Sequence, residues 1–195
     1  MGRIHADLLV CLLTLLVGRS CRCRRYVGAD GADRTFTAMG RLRDHDSGVS
    51  VRGSSYLYAP NATSVGNTGS GYSVARGSFA DLEGSEASSN DSAGYVSKNS
   101  SGIYAYSTDS YGNGDGYVAA TSSSLEAWAS TSYGNRFGYM STDGSFLMAM
   151  NSQALESVAN DYLTGQNGVI YASGAVGDIS IWSTENDVDD FVIGL

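Results

Sequence analysis

Along much of this chain, apolar and polar residues alternate over short stretches, and the stretches themselves recur. Ile103, Ala105 and Ser107 alternate with Tyr104 and Tyr106; Leu125, Ala127 and Ala129 alternate with Glu126 and Trp128; Leu147 and Ala149 alternate with Met148 and Met150. A period of two sends one set of side chains inward and the other outward, which predicts β-strands. A second short segment in each unit, such as Tyr117 to Thr121 or Tyr139 to Thr142, has the same character. Between the segments lie clusters of Ser, Asn, Asp and Gly, for example residues 107–115, which favour turns through local side-chain hydrogen bonds or tolerance of positive φ. Each unit therefore reads as strand, turn, strand, turn.

The units repeat with one period. Gly-Tyr pairs stand at Gly71-Tyr72, Gly94-Tyr95, Gly116-Tyr117 and Gly138-Tyr139, at steps of 23, 22 and 22. Tyr-Gly-Asn occurs at Tyr111 and again at Tyr133. A third marker is an apolar position at Leu57, Phe79, Ile103, Leu125, Leu147, Val169 and Phe191, followed two residues later in four units by Ala59, Ala105, Ala127 or Ala149. A unit of this size cannot bury its apolar row alone, whereas stacked copies share a continuous core. The expected fold is all-β: a β-solenoid, or parallel β-helix, of six to seven rungs with about 22 residues each. An evenly spaced β-sandwich is the competing architecture, but it has no reason to hold position-specific identities at one period. The single proline, Pro60, agrees with strands that must donate as well as accept in a ladder.

The two ends differ from the repeats. Arg3 and His5 precede an apolar run from Leu8 to Val17, and Gly18 and Ser20 follow, so residues 1–20 read as a secretory signal peptide or N-terminal anchor. Residues 21–52 lack the repeat and read as a basic linker or cap, and 53–195 as the solenoid domain. Nine of the twelve basic residues but only five of the twenty acidic ones lie in the first 52 positions. The acidic remainder offers no basic stripe and argues against a nucleic-acid partner. Membrane contact is expected only through the N-terminal segment. Of the three cysteines, Cys11 lies in the apolar run and Cys21 and Cys23 just beyond it, so no disulfide framework spans the repeats. Glu185, Asp187, Asp189 and Asp190 precede an apolar tail, Phe191 to Leu195, and suggest a blunted last rung or a docking segment.

Catalytic chemistry has little to draw on. The two histidines, His5 and His45, both precede the repeats, and Asp44-His45-Asp46 reads as a solvated loop because consecutive extended side chains point to opposite sides. Gly112-Asn113-Gly114-Asp115-Gly116 has calcium-like oxygen ligands, but calcium-binding solenoids repeat such ligands every turn, so it reads as a turn. Asp81, Glu83, Glu126 and Glu156 could pair across rungs for glycosidic chemistry, though scattered solubilising charge is the simpler reading. No catalytic residues, metal site or cofactor are expected. Sequons stand at Asn61, Asn90 and Asn99. The best candidate surface is aromatic: if Leu57, Ile103 and Leu125 point inward, then Tyr58, Tyr104, Tyr106 and Trp128 form an outer stripe suited to sugar faces or a partner protein.

The strings Gly102-Ile-Tyr-Ala-Tyr-Ser and Gly94-Tyr-Val-Ser resemble the Gly-[Ile/Val]-Tyr-[Gly/Ala]-x-Ser repeats of β-helical stalks and heads in surface adhesins and viral tail or fibre proteins. The resemblance spans residues 50–183. It implies a secreted or cell- or virion-surface, non-enzymatic structural or adhesive module, a glycan or cell-surface protein as partner, and a homotrimeric assembly. A polysaccharide-active β-helix lyase or hydrolase is the alternative, which the shortage of cations to stabilise an anionic intermediate disfavours. An ice-binding face would need regular outward Thr-x-Thr rows.

Overall fold

The computed structural model describes the backbone of residues 26–28, 41–42, 47–182 and 191–193, and the side chains of residues 47–178. Every strand pairing among these residues is parallel. Strands β1 (Tyr26–Gly28) and β2 (Arg41–Leu42) come first. Five complete turns follow: β3 (Val49–Arg52), β4 (Tyr56–Tyr58) and β5 (Thr63–Val65); β6 (Tyr72–Ala75), β7 (Phe79–Asp81) and β8 (Glu86–Ser88); β9 (Ala93–Lys98), β10 (Gly102–Tyr104) and β11 (Asp109–Tyr111); β12 (Asp115–Ala120), β13 (Ser124–Glu126) and β14 (Thr131–Tyr133); β15 (Phe137–Thr142), β16 (Phe146–Met148) and β17 (Gln153–Leu155). A sixth turn has β18 (Asn160–Gly165), β19 (Val169–Tyr171) and a bridge from Val176 to Gln153, and β20 (Ile179–Trp182) and β21 (Phe191–Ile193) continue the ladders.

The chain is thus a β-solenoid, and it has three sides. The first sheet runs β1-β3-β6-β9-β12-β15-β18-β20, the second β4-β7-β10-β13-β16-β19-β21, and the third β2-β5-β8-β11-β14-β17. The expected two strands per unit are therefore three. The missed strand is the short one of the third sheet, such as Thr131–Tyr133, whose Ser- and Thr-rich sequence reads as a turn. The ladders also begin before residue 53, since β3 pairs with β6 and β2 with β5.

The register corrects one predicted column. Leu57, Ile103, Leu125 and Leu147 do share one inward column, each at most 1% exposed. Its other members are Ala80 and Ile170, with Val192 continuing it by register. Phe79 and Val169 are half-buried neighbours, and Phe79 pairs with Tyr56 and Gly102 on the outward face. The true steps are 23, 23, 22, 22 and 23. A bulky Phe one residue before a small Ala gave the misleading signal.

Two ladders explain the repeat markers. Tyr72, Tyr95, Tyr117, Tyr139 and Tyr162 are fully buried, with successive ring centroids 5.1, 4.8, 4.8 and 5.0 Å apart and rings nearly parallel. The ring spacing matches the strand spacing, so each turn adds one offset-stacked pair. Their hydroxyls meet Ser85, Thr108, Ser130 and Ser152 at 2.9–3.3 Å. Tyr72 is the exception, because its turn carries Ala62 at that position and its hydroxyl has no hydrogen-bond partner; burial raises its pKa far above the ordinary tyrosine range. Burial pushes the hydroxyls of Tyr95, Tyr117 and Tyr139 well above the ordinary tyrosine range, and that of Tyr162 up to about 12. The glycine before the tyrosine is required by the neighbouring turn: a Cβ on Gly116 would sit 2.3 Å from the Gly138 carbonyl oxygen and 2.3 Å from Ser132 Oγ.

The second ladder is asparagine. Asn67 Nδ2 donates to Asn90 Oδ1 at 2.7 Å, Asn90 Nδ2 to Asn113 Oδ1 at 2.8 Å, and the Asn113 backbone N–H to Asn135 Oδ1 at 2.7 Å. All four residues are at most 6% exposed. A buried amide is tolerable only when its donors and acceptors are paired, and the stacking of identical turns supplies the partners. Corners are made by left-handed residues at the same places in each turn, for example Thr121, Ser122, Ala129 and Gly134 at φ of 57°, 56°, 50° and 59°. This accounts for the Gly, Asn, Ser and Asp clusters, residue types that enter this region at low cost or pair locally there.

Candidate functional site

The outward face of the second sheet is set by the same alternation that buries Leu57, Ile103 and Leu125. Residues flanking that column and the buried Ala105 and Ala127 just past it point outward, and in five neighbouring positions they are aromatic. Tyr56 stacks on Phe79 at 5.6 Å between ring centroids, Phe79 meets Tyr104 edge-on at 4.6 Å, Tyr104 stacks on Tyr106 at 5.7 Å, and Tyr106 meets Trp128 edge-on at 5.4 Å. The result is a continuous aromatic strip running diagonally across four turns, from β4 to the corner after β13.

The polar groups along the strip are placed by register. Tyr58, Asp81, Tyr104, Glu126, Met148 and Tyr171 form one outward column. Tyr106 donates its hydroxyl to Glu126 Oε2 at 2.8 Å. Its pKa is pushed up to about 12, first by desolvation and then by that carboxylate. The bond holds the tip of the side chain, and the ring sits between Tyr104 and Trp128. Trp128 is 39% exposed, and Tyr104 and Tyr106 are half-buried. An array of flat apolar faces bordered by carboxylates can stack on sugar rings while accepting hydrogen bonds from their hydroxyls.

Of the predicted stripe, the structure joins Tyr104, Tyr106 and Trp128 directly. Tyr58 is 38% exposed on the same face, two turns from Tyr104 with Asp81 between them in the column. Tyr56 and Phe79 join the strip beyond the four residues that the sequence pattern predicts. The signal was present, since Phe79 sits one residue from the small Ala80 that fills the inward position.

The remaining candidates disperse. Asp81 and Glu126 share a column with Tyr104 between them, Glu83 lies past the end of β7, and Glu156 lies at the corner after the third sheet. In the glycine-rich turn, Asn113 is buried in its ladder and Asp115 is held by Arg136 at 2.9 Å, so both side chains already have structural partners. Asp44, His45 and Asp46, the cysteines and residues 1–20 lie outside the described residues. Asn61 and Asn99 are exposed, whereas Asn90 is 2% exposed with its Nδ2 donating to Asn113, so the folded chain presents two of the three sequons. Compared with known proteins, the chain matches no family model, no curated protein and no solved structure.

Proposed function

We propose that the protein is a secreted or surface-displayed, non-enzymatic β-solenoid of structural or adhesive role, whose aromatic strip holds glycan chains. The observation that carries this reading is the continuous ring-to-ring contact from Tyr56 through Phe79, Tyr104 and Tyr106 to Trp128 on one outer face. A rigid row of this length matches several sugar residues in succession, and its rings need no reordering to receive them. The interior supports a scaffold role, because identical residues stack with hydrogen bonds running from turn to turn. The acidic body favours neutral or cationic glycans over anionic ones. In this reading the N-terminal apolar segment directs export, and three chains assemble into a fibre or head.

The test is retention on insoluble polysaccharides of defined composition (cellulose, chitin and mannan) and affinity electrophoresis in their soluble forms. The wild-type chain is expected to bind at least one of them, and Trp128→Ala with Tyr104→Ala to weaken that binding about tenfold, the loss of one to two ring contacts. Equal binding by the double variant, or no binding to any of the three, overturns the glycan reading. Release of reducing sugar overturns the non-enzymatic one. Light scattering tests the assembly: three times the chain mass supports the trimer, and a monomer mass removes it.

A further inference from the structure

The third sheet carries a feature on a different face and of different chemistry. Tyr111 and Tyr133 are paired in register on the adjacent strands β11 and β14, and are 40% and 46% exposed. Their hydroxyls are held in opposite directions along the stack: Tyr111 donates its hydroxyl to Glu86, one turn back, and Tyr133 donates to Glu156 Oε2 at 2.7 Å, one turn ahead. Between them opens a cleft of about 220 Å³, lined by Asp109, Ser110, Tyr111, Thr131 and Tyr133 and open to solvent.

The charge around the cleft has one sign. Asp109 lines it, and Glu86 and Glu156 anchor its two aromatic walls. Arg136 is turned away, bound to Asp115 and lying over the Phe137 ring at 4.7 Å. Hydroxyls that donate to carboxylates make the rings more electron-rich, which strengthens the attraction of their faces for a cation. We propose that the Tyr111–Tyr133 cleft binds an alkylammonium group, gripped between the two ring faces with Asp109 as its counter-ion. The site is independent of the aromatic strip on the second sheet, which is proposed to take sugar rings.

The probes are choline and its neutral carbon isostere 3,3-dimethylbutan-1-ol, titrated into the full chain by isothermal calorimetry and by NMR of the tyrosine ring protons, with n-butylammonium as a primary-amine arm. Choline is expected to shift the Tyr111 and Tyr133 signals saturably in the millimolar range, about tenfold more tightly than the neutral isostere. Tighter binding of choline than of n-butylammonium indicates a methylated ammonium, and the reverse a primary amine; either supports the site. Tyr133→Ala is expected to weaken binding about tenfold and Asp109→Asn about threefold, with circular dichroism showing both variants folded. Equal binding of choline and the neutral isostere to the wild-type chain, or no saturable shift from either cation, overturns the proposal without bearing on glycan retention.

Discussion

Replacing Asn113 by Asp changes one buried NH2 group to an oxygen at nearly constant shape, and so isolates the electrostatics of the asparagine ladder. The native Oδ1 accepts from the Asn90 backbone N–H at 2.9 Å and from Asn90 Nδ2 at 2.8 Å, and a carboxylate keeps both bonds. The native Nδ2 donates to the Ala87 carbonyl at 3.0 Å and to Ser110 Oγ at 3.0 Å. The first contact becomes oxygen against oxygen. Two lost hydrogen bonds at about 1 kcal/mol each, with the burial of an unpaired charge, give a destabilisation of about 3 to 5 kcal/mol at neutral pH. Burial raises the folded-state pKa of the new carboxyl above its unfolded value of about 3.9. The protonated form, which suits the fold, therefore has its full stability below that unfolded value. The variant loses stability as pH rises through the folded-state pKa, by about 1.4 kcal/mol per pH unit between the two values. Urea unfolding followed by circular dichroism at pH 5.5 and pH 8 measures both effects. A loss below about 1 kcal/mol at pH 8, or an equal loss at both pH values, would refute the reasoning.

Three further outcomes follow from the core. The tyrosine ladder stays neutral above pH 10, while the unfolded chain ionises there, so between pH 10 and about 12, where Tyr162 titrates, the five tyrosines together cost about 7 kcal/mol of stability per pH unit; absorbance at 295 nm should show these five titrating in one cooperative step with loss of the circular dichroism signal, not gradually with the others. Gly116→Ala is expected to lower stability by 3 kcal/mol or more, about the upper range for overpacking, because its Cβ would collide with the Gly138 carbonyl; Gly112→Ala should cost only about 1 kcal/mol, since it meets nothing within 4 Å and pays only for its φ of +60°. Ala62→Ser should add about 0.5 to 1 kcal/mol by giving the Tyr72 hydroxyl the partner that Ser85, Thr108, Ser130 and Ser152 give the others, and a midpoint shift in urea checks it.

The stacked fold is legible in the sequence because each turn imposes the same steric demands. Gly116 is glycine because the next turn's carbonyl leaves no room for a Cβ, and Tyr117 is tyrosine because a ring above and a ring below complete its contacts, so Gly-Tyr marks the period. The third strand was hidden because Ser110 and Ser132 point inward yet are polar, each satisfied by a carbonyl, Gly116 and Gly138 respectively, and a polar inward position defeats the apolar-polar alternation rule. Asn113 and Asn135 were visible as part of a repeated Tyr-Gly-Asn but read as turn residues, since their burial follows from partners 22 or 23 residues away. The aromatic strip is half legible: alternation places Tyr104 and Tyr106 outward, but the spacing of apolar residues puts Phe79 inward because Ala80 gives little hydrophobic signal.

The claim on which the whole account rests is that each turn of 22 or 23 residues sets one tyrosine on the next. NMR of a chain labelled only in its tyrosine rings tests it directly through contacts between ring protons. The account predicts an unbroken chain of nuclear Overhauser effects from Tyr72 to Tyr95, Tyr117, Tyr139 and Tyr162, at ring spacings of 4.8 to 5.1 Å. Contacts of Tyr117 with other tyrosines and none with Tyr95 or Tyr139 would contradict it.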